Sequence, residues 1–351
     1  MTDHQKPYIS KAVRLWLKIL LILLFILIVW GALVRLTGSG LSIPEWPIVN
    51  GSLLPPLSDD DWQAVYRTYY LEVHNISDPY GPDVIPVGKF KTMFAIEYLH
   101  RMLAAVAGII FIVLYIGFMR DSAKRKRVGY LMTLAGALLL LQIVLGGVVV
   151  KEELKAELVA GHLAVAYLFY AVILWIYLRL SRITDYADQK PTGRGLIVPV
   201  WLMVVSLFGQ FISGGLMAGS GAGHILNTFP KMGGHWIPPL SQLYSSLQGG
   251  LWGNLVENRV LIQFIHRWWI LAVIAMVIWT RVKARHYAIS PRGKLFFRVV
   301  DILLVLQIVW GIGNLVMKVP VYMSAGHSGI ALLLFTFSLM AAYEAGFADK
   351  K

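Results

Sequence analysis

Four of the chain's nine histidines fall into two matching pairs. His100 lies in Glu97-Tyr98-Leu99-His100-Arg101, and His162 in Ala160-Gly161-His162. The second half repeats the pattern, with His266 in Gln263-Phe264-Ile265-His266-Arg267 and His327 in Ala325-Gly326-His327. The steps from His100 to His266 and from His162 to His327 agree to within a single position. Each histidine stands just inside one end of a long apolar segment. An ionisable side chain there is costly and reads as functional. Two segments that each offer one imidazole at the same depth can ligate an iron porphyrin from both faces, because histidine is a common axial ligand of haem. Zinc fits less well, since it takes a third or fourth ligand close by. The structural alternative at each position is a histidine hydrogen-bonded to a neighbouring helix. Four of them at equivalent depths favour ligation, at two sites.

The elements that position these residues follow from composition. The chain is 57% hydrophobic and only 15% charged, where a soluble domain carries roughly a quarter charged. A membrane helix takes about 20 mostly apolar residues. Eight such stretches occur, near 15–35, 93–119, 128–150, 158–179, 196–218, 260–281, 299–318 and 321–343. The net charge of +13 does not indicate nucleic acid, because of where it lies. It clusters in Lys6 to Lys18, Arg120 to Arg127, Arg179 to Arg194 and Arg281 to Lys294, on alternate connections. Cytoplasmic segments carry such an excess. Both termini are therefore expected in the cytoplasm. The first apolar stretch is too long for a typical signal h-region and no A-x-A site follows it, so it is expected to remain as the first helix. The absence of cysteine removes disulfides, thiolate-ligated haem and iron–sulfur clusters.

The repeat extends beyond the histidines. Gln142-Ile143-Val144-Leu145-Gly146 matches Gln307-Ile308-Val309-Trp310-Gly311. Gly38-Ser39-Gly40 matches Gly219-Ser220-Gly221, and Pro55-Pro56-Leu57-Ser58 matches Pro238-Pro239-Leu240-Ser241. The first outer loop is the longer one, since Pro55 stands farther from His100 than Pro238 does from His266. Each half holds four helices, so both begin on the same side, as in parallel repeats related by an axis along the membrane normal. The predicted fold is all-α and polytopic: eight transmembrane helices as two pseudo-twofold-related four-helix bundles. The N-terminal half is residues 1–190 and the C-terminal half 191–351, joined by a polar link near 181–195. The outer loops, near 36–92 and 219–259, are too long for simple connections. The first holds Asp59-Asp60-Asp61-Trp62 and the aromatic run Tyr66 to Tyr70, and predicts a short amphipathic surface helix.

One position separates the halves. Glu97 stands three residues before His100, on the same helix face, where the second half has Gln263. A carboxylate is far costlier in a membrane than an amide of the same shape. The half with Glu97 is the expected site of chemistry and the half with Gln263 the expected electron carrier. In the competing reading Glu97 forms a structural ion pair with Arg101. Arg101 and Arg267 suit haem propionates or snorkel to the interface. All four histidines lie near the outer ends of their segments, which places both haems in the outer half of the membrane. An electron wire across the bilayer would need one near each face. His4 and His286 are expected to be solvated on the inner side, and His74, His224 and His235 on outer loops. A metal site from His224 and His235 has no support from spacing.

With these motifs in place, the chain resembles the haem A synthases, in their cysteine-free proteobacterial and mitochondrial-type branch. The resemblance covers nearly the whole chain. It rests on Arg35-Leu36-Thr37-Gly38-Ser39-Gly40-Leu41-Ser42, on Glu97-x-x-His100-Arg101, on Asn227-Thr228-Phe229-Pro230, on His266-Arg267, and on His162 and His327. Many bacterial members carry a cysteine pair in an outer loop, which this chain lacks, and relatives often have tryptophan and serine where Tyr98 and Leu99 follow Glu97. The resemblance implies two four-helix bundles in the inner membrane of a bacterial cell. It implies a substrate, haem O, between His100 and His162, a haem b on His266 and His327, and Glu97 as the carboxylate needed for activity. The implied reaction oxidises the C8 methyl of haem O to the formyl of haem A for cytochrome oxidase, with water as the oxygen source. Lipid, a haem O synthase and an electron acceptor such as a quinone are the implied partners. The rival reading is a di-haem b-type cytochrome that only transfers electrons, for instance from quinol. A histidine-relay transporter is the third, and it binds no haem.

Overall fold

The computed structural model describes residues 9–48, 51, 54–69, 85–181, 194–245, 250–347 and 349–350. His4, His74, Tyr70 and most of the link between the halves, including the 190/191 boundary, lie outside the described residues. Eight helices among those described are long and apolar enough to cross a membrane. In chain order they are α1 (Lys11–Leu36), α3 (Val87–Arg120), α4 (Ser122–Lys151), α5 (Ala156–Ser181), α6 (Arg194–Ser220), α9 (Arg259–Ala284), α10 (Pro291–Val316) and α11 (Val321–Ala345). Three short helices, α2 (Asp59–Thr68), α7 (Leu240–Leu243) and α8 (Gly250–Glu257), belong to the two long loops. The chain is a multi-pass membrane protein.

Several helices start where a side chain satisfies the first free N–H groups. Asp121 accepts from Ala123 N and Lys124 N at 3.0 and 3.1 Å, and Asn258 from Val260 N and Leu261 N at 3.0 and 3.1 Å. The predicted surface helix is present as α2. Ser58 and Asp61 form a reciprocal capping box at its start. Its apolar side packs on the first turns of α3, where Trp62 meets Phe94 and Tyr66 meets Phe90 edge-on.

The packing has an internal symmetry. In the first half α1 packs on α3, α4 on α5, and α1 on α5. In the second, α6 packs on α9, α10 on α11, and α6 on α11. Between the halves α5 packs on α6 and α1 on α11, again counterparts of each other. The contact of α3 with α4 has no comparably extensive counterpart between α9 and α10. An aromatic group of Tyr167, Phe211 and Phe335 joins α5, α6 and α11 across the seam.

One apolar cluster runs through both halves, and it occupies one side of the bundle. In α3 it begins at Ala107, in α5 at Tyr167, in α9 at Val273 and in α11 at Ala331. His100, His162, His266 and His327 all precede these starts. The solid packing therefore fills one half of the thickness, and the four histidines share the other half.

The turns on the histidine side repeat in detail. Glu153 and Leu154 are both left-handed (φ 52° and 58°), and so are their counterparts in the second half, Lys318 and Val319 (φ 62° and 62°). Left-handed backbone costs a non-glycine residue roughly 1–2 kcal/mol. The turns drive an apolar side chain onto a glycine. A Cβ on Gly40 would stand 2.7 Å from Leu154 Cδ2, and one on Gly223 would stand 3.1 Å from Val319 Cγ2.

This geometry corrects one expected match. Gly38-Ser39-Gly40 does not correspond to Gly219-Ser220-Gly221. Gly38 (φ 70°) caps a short 3-10 turn at Ser39–Leu41, and its counterpart is Gly221 (φ 67°), which caps the turn Ala222–His224. The identical letters therefore sit two positions out of register. A pairing absent from the sequence reading joins Tyr287–Ala288 to Asp349–Lys350 as a short antiparallel ribbon.

Candidate functional site

Each of the four histidines is half-buried and faces a glycine on the neighbouring helix. A Cβ on Gly31 would lie 3.2 Å from His100 Cε1, and one on Gly214 3.3 Å from His266 Cε1. The distances for Gly146 to His162 and Gly311 to His327 are 3.4 and 2.7 Å. Both glycine pairs are repeat counterparts, so α1, α4, α6 and α10 each give way where a ring must sit. Within each pair the rings are electrostatic neighbours. A charge on His162 is felt at His100, and one on His327 at His266.

A glutamine one helix away meets the second ring of each pair. Gln142 Nε2 is 3.0 Å from His162 Nε2, and Gln307 Nε2 is 3.2 Å from His327 Nε2. The Nδ1 atoms of His100, His162 and His327 are buried without a hydrogen-bond partner. Buried polar atoms are almost always satisfied, so three of the four rings are unusual in keeping a nitrogen without a protein partner. The donor set is paired imidazole with no carboxylate or thiolate cluster. Among the described residues no three His, Asp or Glu side chains gather to hold a metal ion. Two imidazole nitrogens per site and a glycine behind each ring fit a porphyrin iron. They do not fit zinc. His224, His235 and His286 are exposed, as expected.

The first rings of the two pairs differ. His266 Nδ1 has Ser213 Oγ at 2.9 Å and Gln210 Nε2 at 3.3 Å, and Gln210 also donates to the His266 carbonyl at 2.9 Å. At the matching positions on α1 the first half has Trp30 and Leu27. Trp30 Nε1 donates instead to Ile96 O at 2.9 Å, and His100 Nδ1 has nothing.

Glu97 is 3% exposed and every polar edge of its carboxylate is used. Arg101 Nη2 donates to Oε1 at 2.6 Å, while Ser42 Oγ and the Ile43 N–H donate to Oε2 at 2.8 and 3.0 Å. The competing ion-pair reading of Glu97 is therefore present in the structure. Arg101 also donates to the carbonyls of Ile43 and Glu45, both at 2.6 Å. Arg267 does the same in the second half, to the carbonyls of Leu226 and Thr228. Gln263 Nε2 donates to Ile225 O at 2.6 Å where Glu97 meets the Ser42–Ile43 segment. These arginines are not seen snorkelling; they clamp the loops that follow α1 and α6. In both loops the next peptide to proline, Trp46–Pro47 or Phe229–Pro230, is cis.

The sequence singled out the histidines, Glu97 and the arginines, and Ser42 only as part of a motif, without its bond to Glu97. It did not single out Gly31, Gly214, Ser213 or Gln210. The register that pairs Gly38 with Gly221 also pairs Gly31 with Gly214, and it would have flagged both.

The cytochrome oxidase assembly protein family matches residues 14–339. A heme A synthase of Nitrosospira multiformis is 33% identical over 350 residues, covering 97% of this chain and 95% of that protein. One from Rhizobium johnstonii is 35% identical over 344 residues, with 94% and 88% covered. One from Agrobacterium fabrum is 34% identical over 346 residues, with 94% and 89% covered. Every residue of the two histidine pairs lies inside the matched span, and the chain belongs to the haem A synthase family of cytochrome oxidase assembly proteins.

Proposed function

We propose that this chain oxidises the C8 methyl group of haem O to a formyl group, giving haem A. His100 and His162 flank the substrate and His266 and His327 hold a resident haem b. The carrying observation is the contrast at Nδ1. His266 is fixed by Ser213 and Gln210, as ligands of a permanent metal site are oriented by outer partners. His100 has no such partner, which suits a group that enters as substrate and leaves as product.

Haem b supplies one-electron acceptance at the second site when bound. The chain's own residues do the rest. His100 and His162 would hold the substrate haem through its iron and so keep oxygen from it. Oxidation of the methyl to the formyl, through a hydroxymethyl stage, takes its oxygen from water and releases electrons and protons in equal number. Glu97, one turn before His100, is the carboxylate placed to receive a proton or to stabilise positive charge at the porphyrin edge. Arg101 and Arg267 place positive charge near each site, where propionates bind. The electrons pass to an acceptor such as a quinone, and haem O arrives from a haem O synthase. The protein sits in a bacterial inner membrane with both haem sites toward its outer face. As an enzyme the protein is an oxidoreductase acting on a CH3 group.

The test is extraction and mass analysis of the haems from protein produced alongside a haem O source. Haem B together with haem O, haem A or a hydroxylated intermediate is expected. Haem B alone, at two per chain, would replace the reading with an electron-transfer cytochrome.

A further inference from the structure

Three positions change together between the halves at the loop clamp. Glu97, Ser42 and Ser39 in the first half stand where the second has Gln263, Ile225 and Ala222. Ser39 and Ser42 are fully buried. Ser42 Oγ lies 2.8 Å from Glu97 Oε2 and 2.7 Å from the Ser39 carbonyl, each at donor geometry. A hydroxyl has one proton, so it serves one of these acceptors at a time.

We propose that Ser42 is a positioning residue, a reversible hydrogen-bond partner that lets Glu97 take up a proton without any heavy atom moving. This rests on the proposed role of Glu97 as proton acceptor. Elimination among the partners of the carboxylate leads to Ser42. Arg101 and the Ile43 N–H can only donate. Arg101 is held on Oε1 and two carbonyls, so Oε1 stays an acceptor in every state. Ser42 alone can both donate and accept. With Glu97 ionised, Ser42 donates to Oε2. When a proton released by the substrate forms an O–H bond at Oε2, that O–H donates to Ser42 Oγ. The Ser42 hydroxyl then turns to the Ser39 carbonyl. No polar atom is orphaned in either state, and orphaning one is the usual cost of protonating a buried carboxylate.

The other charges nearby are committed elsewhere. The Glu45 carboxylate accepts from Gly51 N at 3.0 Å, and Arg35 Nη2 donates to Gly219 O at 2.7 Å. In the second half an amide and two apolar side chains take these three places.

The experiment compares wild type with Ser42→Ala and Ser42→Thr in the purified, haem-loaded protein. The infrared carboxyl C=O band of protonated Glu97 is assigned by its loss in Glu97→Gln. In Ser42→Ala the band moves to higher frequency, because its O–H has lost its acceptor, and haem A formation falls about 10- to 100-fold. Ser42→Thr, which keeps the hydroxyl, restores both. Should Ser42→Ala lose its haem, Ser42→Cys carries the same comparison with a weaker donor. An unmoved band in a folded Ser42→Ala protein overturns the switch, whatever the turnover. A wild type that makes no haem A while its band still moves with Ser42→Ala retires the proposed reaction and leaves the switch standing.

Discussion

The two halves share a skeleton and differ in what holds it. In both, an arginine one residue after the first histidine clamps two loop carbonyls, and a glycine lies behind each ring. The second half secures its ring with a hydroxyl and an amide and closes its loop with an amide-to-carbonyl bond. The first half leaves its ring unsecured and closes its loop with a buried, ion-paired carboxylate. In the proposed assignment, one half keeps its haem and the other handles charge beside a substrate that comes and goes. Duplicated halves can diverge this way because the clamp and the glycines preserve geometry while the polar partners change.

The largest effect that tests this contrast comes from deleting a ring in each half. His266→Ala should strip haem b from the purified protein and abolish haem A formation. His100→Ala should abolish product as well but leave haem b in place. Haem extraction of the two variants decides it, and equal loss of haem b from both would show that the halves are not separate sites. Next in size is Ser213→Ala. Removing an outer partner of a metal ligand typically costs about 10- to 100-fold in affinity. Ser213→Ala should lower haem b retention by that amount, measured by the absorbance remaining after titration with an apo-haem acceptor. A Ser213→Ala protein with unchanged retention would remove the reason for assigning the resident haem to the second half.

Much of this was legible in the sequence. Apolar length and the placement of lysine and arginine are properties of the one-dimensional chain, so eight helices and the repeat could be read directly. The histidines could be read because a membrane makes their cost visible. Gly31 and Gly214 were reachable only through the register that pairs Gly38 with Gly221, since a glycine in an apolar helix gains meaning only from the ring that packs against it. Arg101 and Arg267 were located, but their hold on the loop carbonyls was not legible, because backbone carbonyls leave no mark in sequence. The loop register failed for a related reason. Gly-Ser-Gly recurs as a string at 219–221, but the left-handed cap that sets the fold is Gly221. Identity of letters gave way to identity of dihedral angle.

A smaller effect separates the second rings of the two pairs. An added Cβ would sit 2.7 Å from His327 Cε1 at Gly311 but 3.4 Å from His162 Cε1 at Gly146. The first is a clash and the second an ordinary contact. Overpacking of a fitted site costs about 1–3 kcal/mol. Gly311→Ala should therefore loosen haem b by that order, while Gly146→Ala leaves haem binding at His162 near wild type. Thermal release of haem from each variant, followed spectrally, gives the comparison. Equal sensitivity of the two would mean that the sites are equally tight.

The smallest effect comes from acid, through helix caps outside the membrane. Asp121 starts α4 in the first half and Asn258 starts α9 in the second, each accepting two backbone N–H bonds. Only the aspartate titrates. Its bond from the Lys124 side chain, foremost, and those from the Lys124 and Ala123 backbone hold its carboxyl below the ordinary 3.8. A group whose folded value is depressed contributes stability that is fully present above its unfolded value and lost as pH falls through the folded one. Acidification below about pH 4 should therefore speed amide hydrogen exchange in the first turn of α4, after correction for the intrinsic rate, and leave the first turn of α9 unchanged. The cap lies between α3 and α4 on the side away from the histidines, so the change should stay local to that turn and leave the histidine side of the bundle untouched. An Asp121→Asn protein should then behave as α9 does, with the protection of its first turn independent of acid. If protection still falls in that variant, the acid response of α4 arises from something other than its cap.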